Sequence, residues 1–224
     1  MSRPDQAVDG PLISVLGSSA LLFEAPGPLS IEQQRRIWWM AQEAIHWPGV
    51  REAVPGMNNL MLTFARAPAS LAPLESLLRK AWSSGQAVHK DGKLVELPVV
   101  YGGPAGPHLV DVITHTGLPL DQIVAIHCRP VYTVFALGSH PGYCYLGGMD
   151  IRIATPRRRV PLTNLPGGSV SIGGIQTGVS ASAGPSGWNT IGRTALKFFD
   201  PARDPPALLS PGDMIRFTVQ EVVL

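Results

Sequence analysis

The chain has 224 residues, a length that suits one large domain or two small ones. Hydrophobic residues make up 45% of the chain and charged residues only 15%, which excludes a largely disordered protein and predicts a substantial core. The net charge is +2 and the longest basic run is Arg157-Arg158-Arg159, so neither nucleic acid nor a membrane surface is an expected partner.

Cysteine usage favours a protein of a reducing compartment. Cys128 and Cys144 are too few for a disulfide framework, although a single bridge stays open. Together with His127 and His140 they are metal-ligand types, but their spacing is not a zinc pattern, and we predict no metal site. The apolar run at 12–23 is too short to span a bilayer, so we interpret it as strands of a soluble cytoplasmic protein.

The first half of the chain predicts two helices that cover a sheet. One helix is predicted over 30–46, where Ser30 and Gln33 form a capping box, and the other begins near Ser70. Strands are predicted over about 12–24, 50–54, 58–65 and 94–100, with a turn between the second and the third. This order is the split βαβ pattern, so we predict a ferredoxin-like α+β sandwich over residues 1–93.

The second half, residues 94–224, predicts a β-barrel domain after a helical segment. Residues 107–129 suit two short helices that are separated by Gly117-Leu118-Pro119. Of the 24 glycines, half fall between Gly138 and Gly192, where they separate short β-prone runs. Short strands with glycine-rich turns are typical of a closed or nearly closed β-barrel.

A series of motifs resembles the 5-oxoprolinase B-subunit family, which also includes the proteins formerly called allophanate hydrolase subunit 1 and the Kip-type inhibitors of sporulation kinases. The resemblance covers nearly the whole chain from about residue 12. The motifs that carry it are Val54-Pro55-Gly56-Met57-Asn58-Asn59, Leu97-Pro98-Val99-Val100-Tyr101-Gly102-Gly103, Gly138-Ser139-His140-Pro141-Gly142-Tyr143-Cys144-Tyr145-Leu146-Gly147, Thr155-Pro156-Arg157-Arg158, Pro166-Gly167-Gly168-Ser169-Val170, Ile172-Gly173-Gly174-Ile175-Gln176-Thr177-Gly178-Val179, Gly187-Trp188, Ile191-Gly192-Arg193-Thr194 and Phe199-Asp200-Pro201.

The resemblance implies a cyclophilin-like barrel behind a small α/β domain. It implies a heteromer in which this chain pairs with a C-subunit homologue to form the active groove. With an A-subunit, the pair hydrolyses 5-oxoproline to glutamate at the expense of ATP. The sequence has no phosphate-loop motif, so we expect ATP at the complex and not on this chain alone. Two alternatives stay open: a Kip-type inhibitor of a sensor histidine kinase, and a carboxyltransferase half related to urea carboxylase or allophanate hydrolase.

The chain departs from the family pattern at several positions, which leaves its substrate open. The family usually has Phe, Pro, Arg, Tyr and Gly, respectively, at the positions of Tyr143, Cys144, Leu162, Ser180 and Ser186.

Two arginines are the candidate anion-binding residues. Arg157 and Arg193 lie on family motifs, and a guanidinium binds a carboxylate or phosphate through two parallel hydrogen bonds. Arg158 and Arg159 are more typical of a solvated loop. The pairs Gly167-Gly168 and Gly173-Gly174 suit tight turns that need a positive φ better than an anion site.

The remaining candidates are polar residues of the predicted barrel. His127 suits general acid–base catalysis because imidazole titrates near neutrality, but a buried structural histidine fits equally well. Tyr145 is the second catalytic candidate. Gln176 and Thr177 are candidates for substrate orientation, and the alternative for all three is that they close the barrel.

Overall fold

The structure is a computed structural model that describes residues 10–89 and 92–223. The chain divides into two compact units, Met1–Lys90 and Asp91–Leu224. This division and the predicted domain boundary at residue 93 fall in the same short segment.

The first unit is an antiparallel sheet with two helices. Its sheet has the strand order β1-β2-β4-β3. The elements are β1 (Leu12–Leu16), β2 (Ala20–Glu24), α1 (Ile31–Ala44), β3 (Val50–Pro55), β4 (Asn59–Phe64) and α2 (Ala72–Ser83).

Two sequence predictions for the first unit need correction. The predicted strand 12–24 is a hairpin of two strands, β1 and β2, which turns at Gly17 with φ +60°. The predicted sandwich also used strand 94–100 as its fourth strand, but this strand lies in the second unit, in agreement with the predicted barrel domain 94–224. The fourth position in the sheet is therefore filled by β1, and the ferredoxin-like arrangement predicted for residues 1–93 is not confirmed.

Helix α1 forms because a capped start is followed by a continuous apolar face. The Ser30 hydroxyl accepts a hydrogen bond from the backbone N–H of Gln33 at 3.2 Å. Ile37, Met40 and Ala44 are fully buried against the sheet, as the spacing of the predicted helix requires. The predicted helix 30–46 is thus confirmed, although it begins one residue later and ends two residues earlier than predicted.

The second unit is a closed seven-stranded barrel, as predicted. Its strand order is β10-β7-β6-β13-β5-β12-β9, and the pairing of β9 with β10 closes it. A separate two-stranded sheet pairs β8 with β11. The elements are β5 (Leu94–Gly102), α3 (Leu109–Thr116), α4 (Leu120–Cys128), β6 (Tyr132–Leu137), β7 (Cys144–Gly147), β8 (Leu162–Leu165), β9 (Ser169–Gly173), β10 (Gln176–Val179), β11 (Gly184–Ser186), β12 (Asn189–Arg193) and β13 (Met214–Val223).

Alternation along the strands fills the barrel interior. On β5, Leu97, Val99 and Tyr101 are each fully buried, because successive side chains of a strand point to opposite faces. Ile215 and Phe217 repeat the pattern on β13, which runs parallel to β5. The predicted helix pair is confirmed, and α3 ends at Gly117 in the left-handed conformation.

Among the described residues, no single helix is long and apolar enough to cross a membrane. Helices α3 and α4 reach the necessary length and apolar composition only when they are taken together, and the chain bends by 99° at the break between them.

One prediction concerns Gly147 on β7. A Cβ at this position would overlap with the ring of Phe135, which is itself buried. We expect Gly147→Ala to lower the free energy of unfolding by about 1–3 kcal/mol, the usual effect of overpacking. Gly184→Ala, where a Cβ has no neighbour within 4 Å, is the control and should not destabilise. Equal midpoints in urea for both variants would contradict the packing described here.

Candidate functional site

Three aromatic side chains form a wall at the surface of the barrel unit. The ring of Tyr143 lies 4.8 Å from that of Tyr145, and Trp188 lies 6.2 Å from both, measured between ring centroids. All three pairs are edge-on, the geometry that aromatic rings prefer. Glycines make room for the wall: a Cβ on Gly173 would lie 2.5 Å from the Trp188 indole, and one on Gly178 2.8 Å from the Tyr143 hydroxyl.

This wall lines a cleft of about 150 Å³, which we call the aromatic cleft. The rest of its lining comes from the loops before β7 and after β10, from the segment before β8, and from β11 with the residue that follows it. The polar side chains at the cleft, besides the two tyrosines, are Ser139, His140, Arg157, Ser180, Ser182 and Ser186.

The loop before β7 holds Ser139 in a strained conformation. Its φ is +64°, and the N–H of His140 donates to the carbonyl of Gly138 at 2.7 Å, which makes a three-residue turn with Ser139 at its centre. A second turn follows, in which Gly142 has φ +80° and the N–H of Tyr143 donates to the His140 carbonyl. Strain of this kind is found mostly where function requires it.

His140 is the histidine that faces the aromatic cleft. Its Nε2 accepts a hydrogen bond from the backbone N–H of Ser182 at 3.3 Å, and its ring packs against Tyr143 at 5.2 Å. Partial burial lowers the pKa of His140, which favours the neutral ring.

His127 lies in the barrel interior and not in the aromatic cleft. Its side chain is fully buried, and its ring packs against Phe217 at 4.3 Å. Nδ1 lies 2.8 Å from the hydroxyl of Tyr101, and Nε2 lies 3.0 Å from the hydroxyl of Thr177. Both ring nitrogens of His127 therefore have partners inside the protein.

The hydrogen bonds around His127 fix its tautomer. Thr177 donates its hydroxyl hydrogen to the Ser171 carbonyl at 3.1 Å, so it can only accept from Nε2 of His127. Nδ1 must then be the acceptor, and Tyr101 donates to it. Since the Tyr101 hydrogen is used, Cys128 donates to the Tyr101 oxygen at 3.4 Å. The result is one directed chain from Cys128 to Ser171, which includes a neutral His127.

Burial is also the electrostatic reason that His127 stays neutral. It lowers the pKa of His127 to about 3, because the charged ring would lose its hydration. Burial likewise raises the pKa of Tyr101 well above its ordinary value. No group in this chain of hydrogen bonds changes charge near neutral pH, so the arrangement suits a structural role better than proton exchange with a substrate.

The interior hydrogen-bond chain and the aromatic cleft share strand β10. Thr177 pairs with Leu146 of β7, and the next residue, Gly178, pairs with Tyr145. The hydrogen bond from His127 to Thr177 thus holds the strand against which one wall of the cleft is built.

Arg193 lines a different cleft of about 580 Å³, which also includes Lys197 and which we call the basic cleft. Its Nε donates to the Gly167 carbonyl at 3.0 Å. The segment 180–182 separates the two clefts, because Ser180 and Ser182 line the aromatic cleft and Ala181 lines the basic one.

The six predicted site residues are therefore distributed over the barrel unit. Tyr145 and Arg157 share the aromatic cleft, His127 and Thr177 are interior, and Arg193 lines the basic cleft. Gln176 is partly exposed at the start of β10 and is among the lining residues of neither cleft.

Three departures from the family pattern come together in the aromatic cleft: Tyr143, Ser180 and Ser186. Cys144 is buried beside it, and Leu162 lines a third cleft near Arg193. Sequence reasoning missed Tyr101 as the partner of His127. The signal was present, since Tyr101 follows Leu97 and Val99 at the same alternate spacing on a predicted strand.

The glycine pairs serve as turns, as predicted. Gly168 and Gly174 have φ of +79° and +64°. Their N–H groups donate to the carbonyls of Ser180 and Thr155. In residues 10–89 and 92–223, no group of three or more His, Cys, Asp or Glu could hold a metal ion, and Cys128 and Cys144 are free thiols.

A pH-dependence follows from the buried neutral His127. Its pKa of about 3 lies below the unfolded value of about 6.5, so the unfolded chain binds a proton first as the pH falls. The contribution of His127 to the free energy of unfolding is complete above pH 6.5 and declines as the pH falls toward 3. We expect a loss of about 2 kcal/mol between pH 7.5 and pH 5 from this residue.

Urea unfolding at both pH values tests this. His127→Gln should remove this part of the pH-dependence, and the exposed His115→Gln should keep it. Equal losses in wild type and His127→Gln would contradict a neutral His127.

Residues 11–209 match the carboxyltransferase domain family, subdomain C and D. The chain is 44% identical to the 5-oxoprolinase B-subunit of Escherichia coli O157:H7 over 209 residues, which cover 92% of this chain and 95% of that one. It is 37% identical to the 5-oxoprolinase B-subunit of Haemophilus influenzae, with coverage of 93% and 98%.

Solved structures agree in fold. The protein TTHA0988 superimposes with a TM-score of 0.73 at 31% identity, over 90% of this chain and 40% of that chain. The urea carboxylase of Kluyveromyces lactis superimposes with a TM-score of 0.74 at 18% identity, over 96% of this chain and 23% of the enzyme, and shows the fold alone. The motifs, the closed barrel and the full-length matches agree, and the chain belongs to the 5-oxoprolinase B-subunit family of carboxyltransferase subdomain C and D proteins.

Proposed function

We propose that this chain is the B-subunit of an ATP-dependent 5-oxoprolinase, which opens 5-oxoproline to glutamate with hydrolysis of ATP. The observation that carries the proposal is the 44% identity to a 5-oxoprolinase B-subunit over nearly the whole of both chains. A full-length match at this level supports a shared role in a way that likeness of fold alone does not.

The chain is not an enzyme by itself. The designation of its relatives as B-subunits implies a complex, and we expect a C-subunit homologue and an A-subunit as its partners in the cytoplasm. The part of TTHA0988 that superimposes on this chain is only 40% of that protein, so a related unit is continuous with further chain. This supports a heteromer in which the cyclophilin-like barrel forms one wall of the active groove with the C-subunit. ATP then binds at the complex, because this chain has no phosphate-loop motif.

We assign the roles of the site residues from their positions. Arg157 and Tyr145 are exposed to a ligand in the aromatic cleft and orient the substrate. Arg193 holds an anion in the basic cleft, whose volume of about 580 Å³ suits a nucleotide-sized group. Gln176 contributes from the edge of the barrel. The satisfied hydrogen bonds of His127 and Thr177 support a structural role for this pair in place of acid–base chemistry.

Two alternative functions can be distinguished from this proposal by a measurement of turnover. A kinase inhibitor would bind a sensor histidine kinase without turnover. A carboxyltransferase half would act on a carboxylated substrate, but the likeness to urea carboxylase is one of fold only.

Reconstitution tests the proposal directly. We expect this chain, co-expressed with its neighbouring C-subunit and mixed with the A-subunit, to release ADP and glutamate in proportion to added 5-oxoproline. The chain alone, and the mixture without it, should show no turnover above background. No 5-oxoproline-dependent ATP turnover in the full mixture would overturn the proposal, and turnover by the chain alone would overturn its dependence on partners.

A further inference from the structure

The charges at the aromatic cleft select an anion. Arg157 lines the cleft, and the lining residues of the cleft include no Asp or Glu. The two arginines that follow Arg157 in the sequence do not line the cleft. Arg158 lies 3.7 Å from Asp111, and Arg159 is exposed. A cleft with one cation and no acid attracts a negatively charged ligand, and a guanidinium matches the two oxygens of a carboxylate.

The size of the cleft selects a small ligand. Its volume of about 150 Å³ is well below the roughly 300 Å³ at which pockets begin to hold drug-sized ligands. A nucleotide is too large, whereas a single five-membered ring with one substituent is of suitable size.

The walls select a flat ligand with acceptor oxygens. Tyr145 and Trp188 both line the cleft, and aromatic side chains are suited to contact with a planar group. Burial raises the pKa of Tyr143, so its hydroxyl keeps its hydrogen and can donate to a ligand oxygen. The serines Ser180 and Ser186 add hydroxyls at the same cleft.

We propose that the aromatic cleft is the binding site for the carboxylate-bearing cyclic amide, with Arg157 paired to the carboxylate and the planar amide group against Tyr145 and Trp188. The proposal deepens the proposed function and rests on it for the identity of the ligand. It places recognition of the small substrate on this chain, away from Arg193 and the basic cleft.

Fluorine NMR on the full chain, alone and co-purified with the C-subunit, provides the test. The chain has five tryptophans, and Trp188 is the one that lies in the unit Asp91–Leu224. In protein labelled with 5-fluorotryptophan, Trp188→Phe assigns its resonance. The probes are 5-oxoproline and 2-pyrrolidone, which has the same ring amide without the carboxylate.

We expect 5-oxoproline to shift the Trp188 resonance. Arg157→Gln should raise the Kd for 5-oxoproline on the order of tenfold to a hundredfold, the usual effect of losing a charge-assisted pair. Arg159→Gln, the matched control, should leave this Kd within a factor of about two, as expected for a surface substitution. The Kd for 2-pyrrolidone should be the same in wild type and Arg157→Gln, because that ligand has no carboxylate to lose.

Two results would overturn the inference: a Trp188 resonance that 5-oxoproline does not move in either preparation, or equal effects of Arg157→Gln and Arg159→Gln. The outcome is separable from that of the proposed function. Turnover by the reconstituted complex without a Trp188 shift rejects this binding site and keeps the proposed function. A Trp188 shift without turnover keeps this binding site and rejects the proposed function. Unfolding midpoints of the variants in urea exclude loss of binding through misfolding.

Discussion

A neutral histidine that is hydrogen-bonded on both sides holds the barrel unit together. His127 on α4 accepts a hydrogen bond from Tyr101 on β5 and donates one to Thr177 on β10, so one imidazole joins three elements. Each partner is buried, and a buried polar group without its bond costs about 1–3 kcal/mol. The interaction therefore stabilises only one arrangement of the barrel strands, since a shift of β5 or β10 would leave several groups unsatisfied at once.

The proposed binding site, the aromatic cleft, lies outside the interior hydrogen-bond chain of His127. Strand β10, which His127 holds through Thr177, pairs with β7, which supplies Tyr145 to the aromatic cleft. Of the aromatic wall, Tyr145 lies on the paired strand β7, whereas Tyr143 and Trp188 directly precede β7 and β12. Binding loops on a firmly held scaffold are the common division of labour in folded proteins. It is also consistent with the position of His127 in the interior, outside the aromatic cleft.

Sequence patterns predicted the local elements well and their tertiary placement less well. The helix 30–46 and the barrel were predictable because capping, apolar spacing and glycine turns act locally. The split of 12–24 at Gly17 was not predicted, and neither was the place of β1 as the fourth strand of the first sheet, because a strand's own residues do not specify which sheet it joins. Tyr145 and Arg157 were predicted as site residues and share a cleft. The inward position of His127 depends on the barrel register, which no local motif determines.

The tautomer of His127 tests this account most directly. In protein with ¹⁵N-labelled histidine, we expect one neutral ring with the hydrogen on Nε2, with no titration between pH 7.5 and pH 5, because burial holds its pKa at about 3. A His127 ring that titrates near pH 6.5, or that carries its hydrogen on Nδ1, would contradict the directed chain from Cys128 to Ser171 and the structural role derived from it.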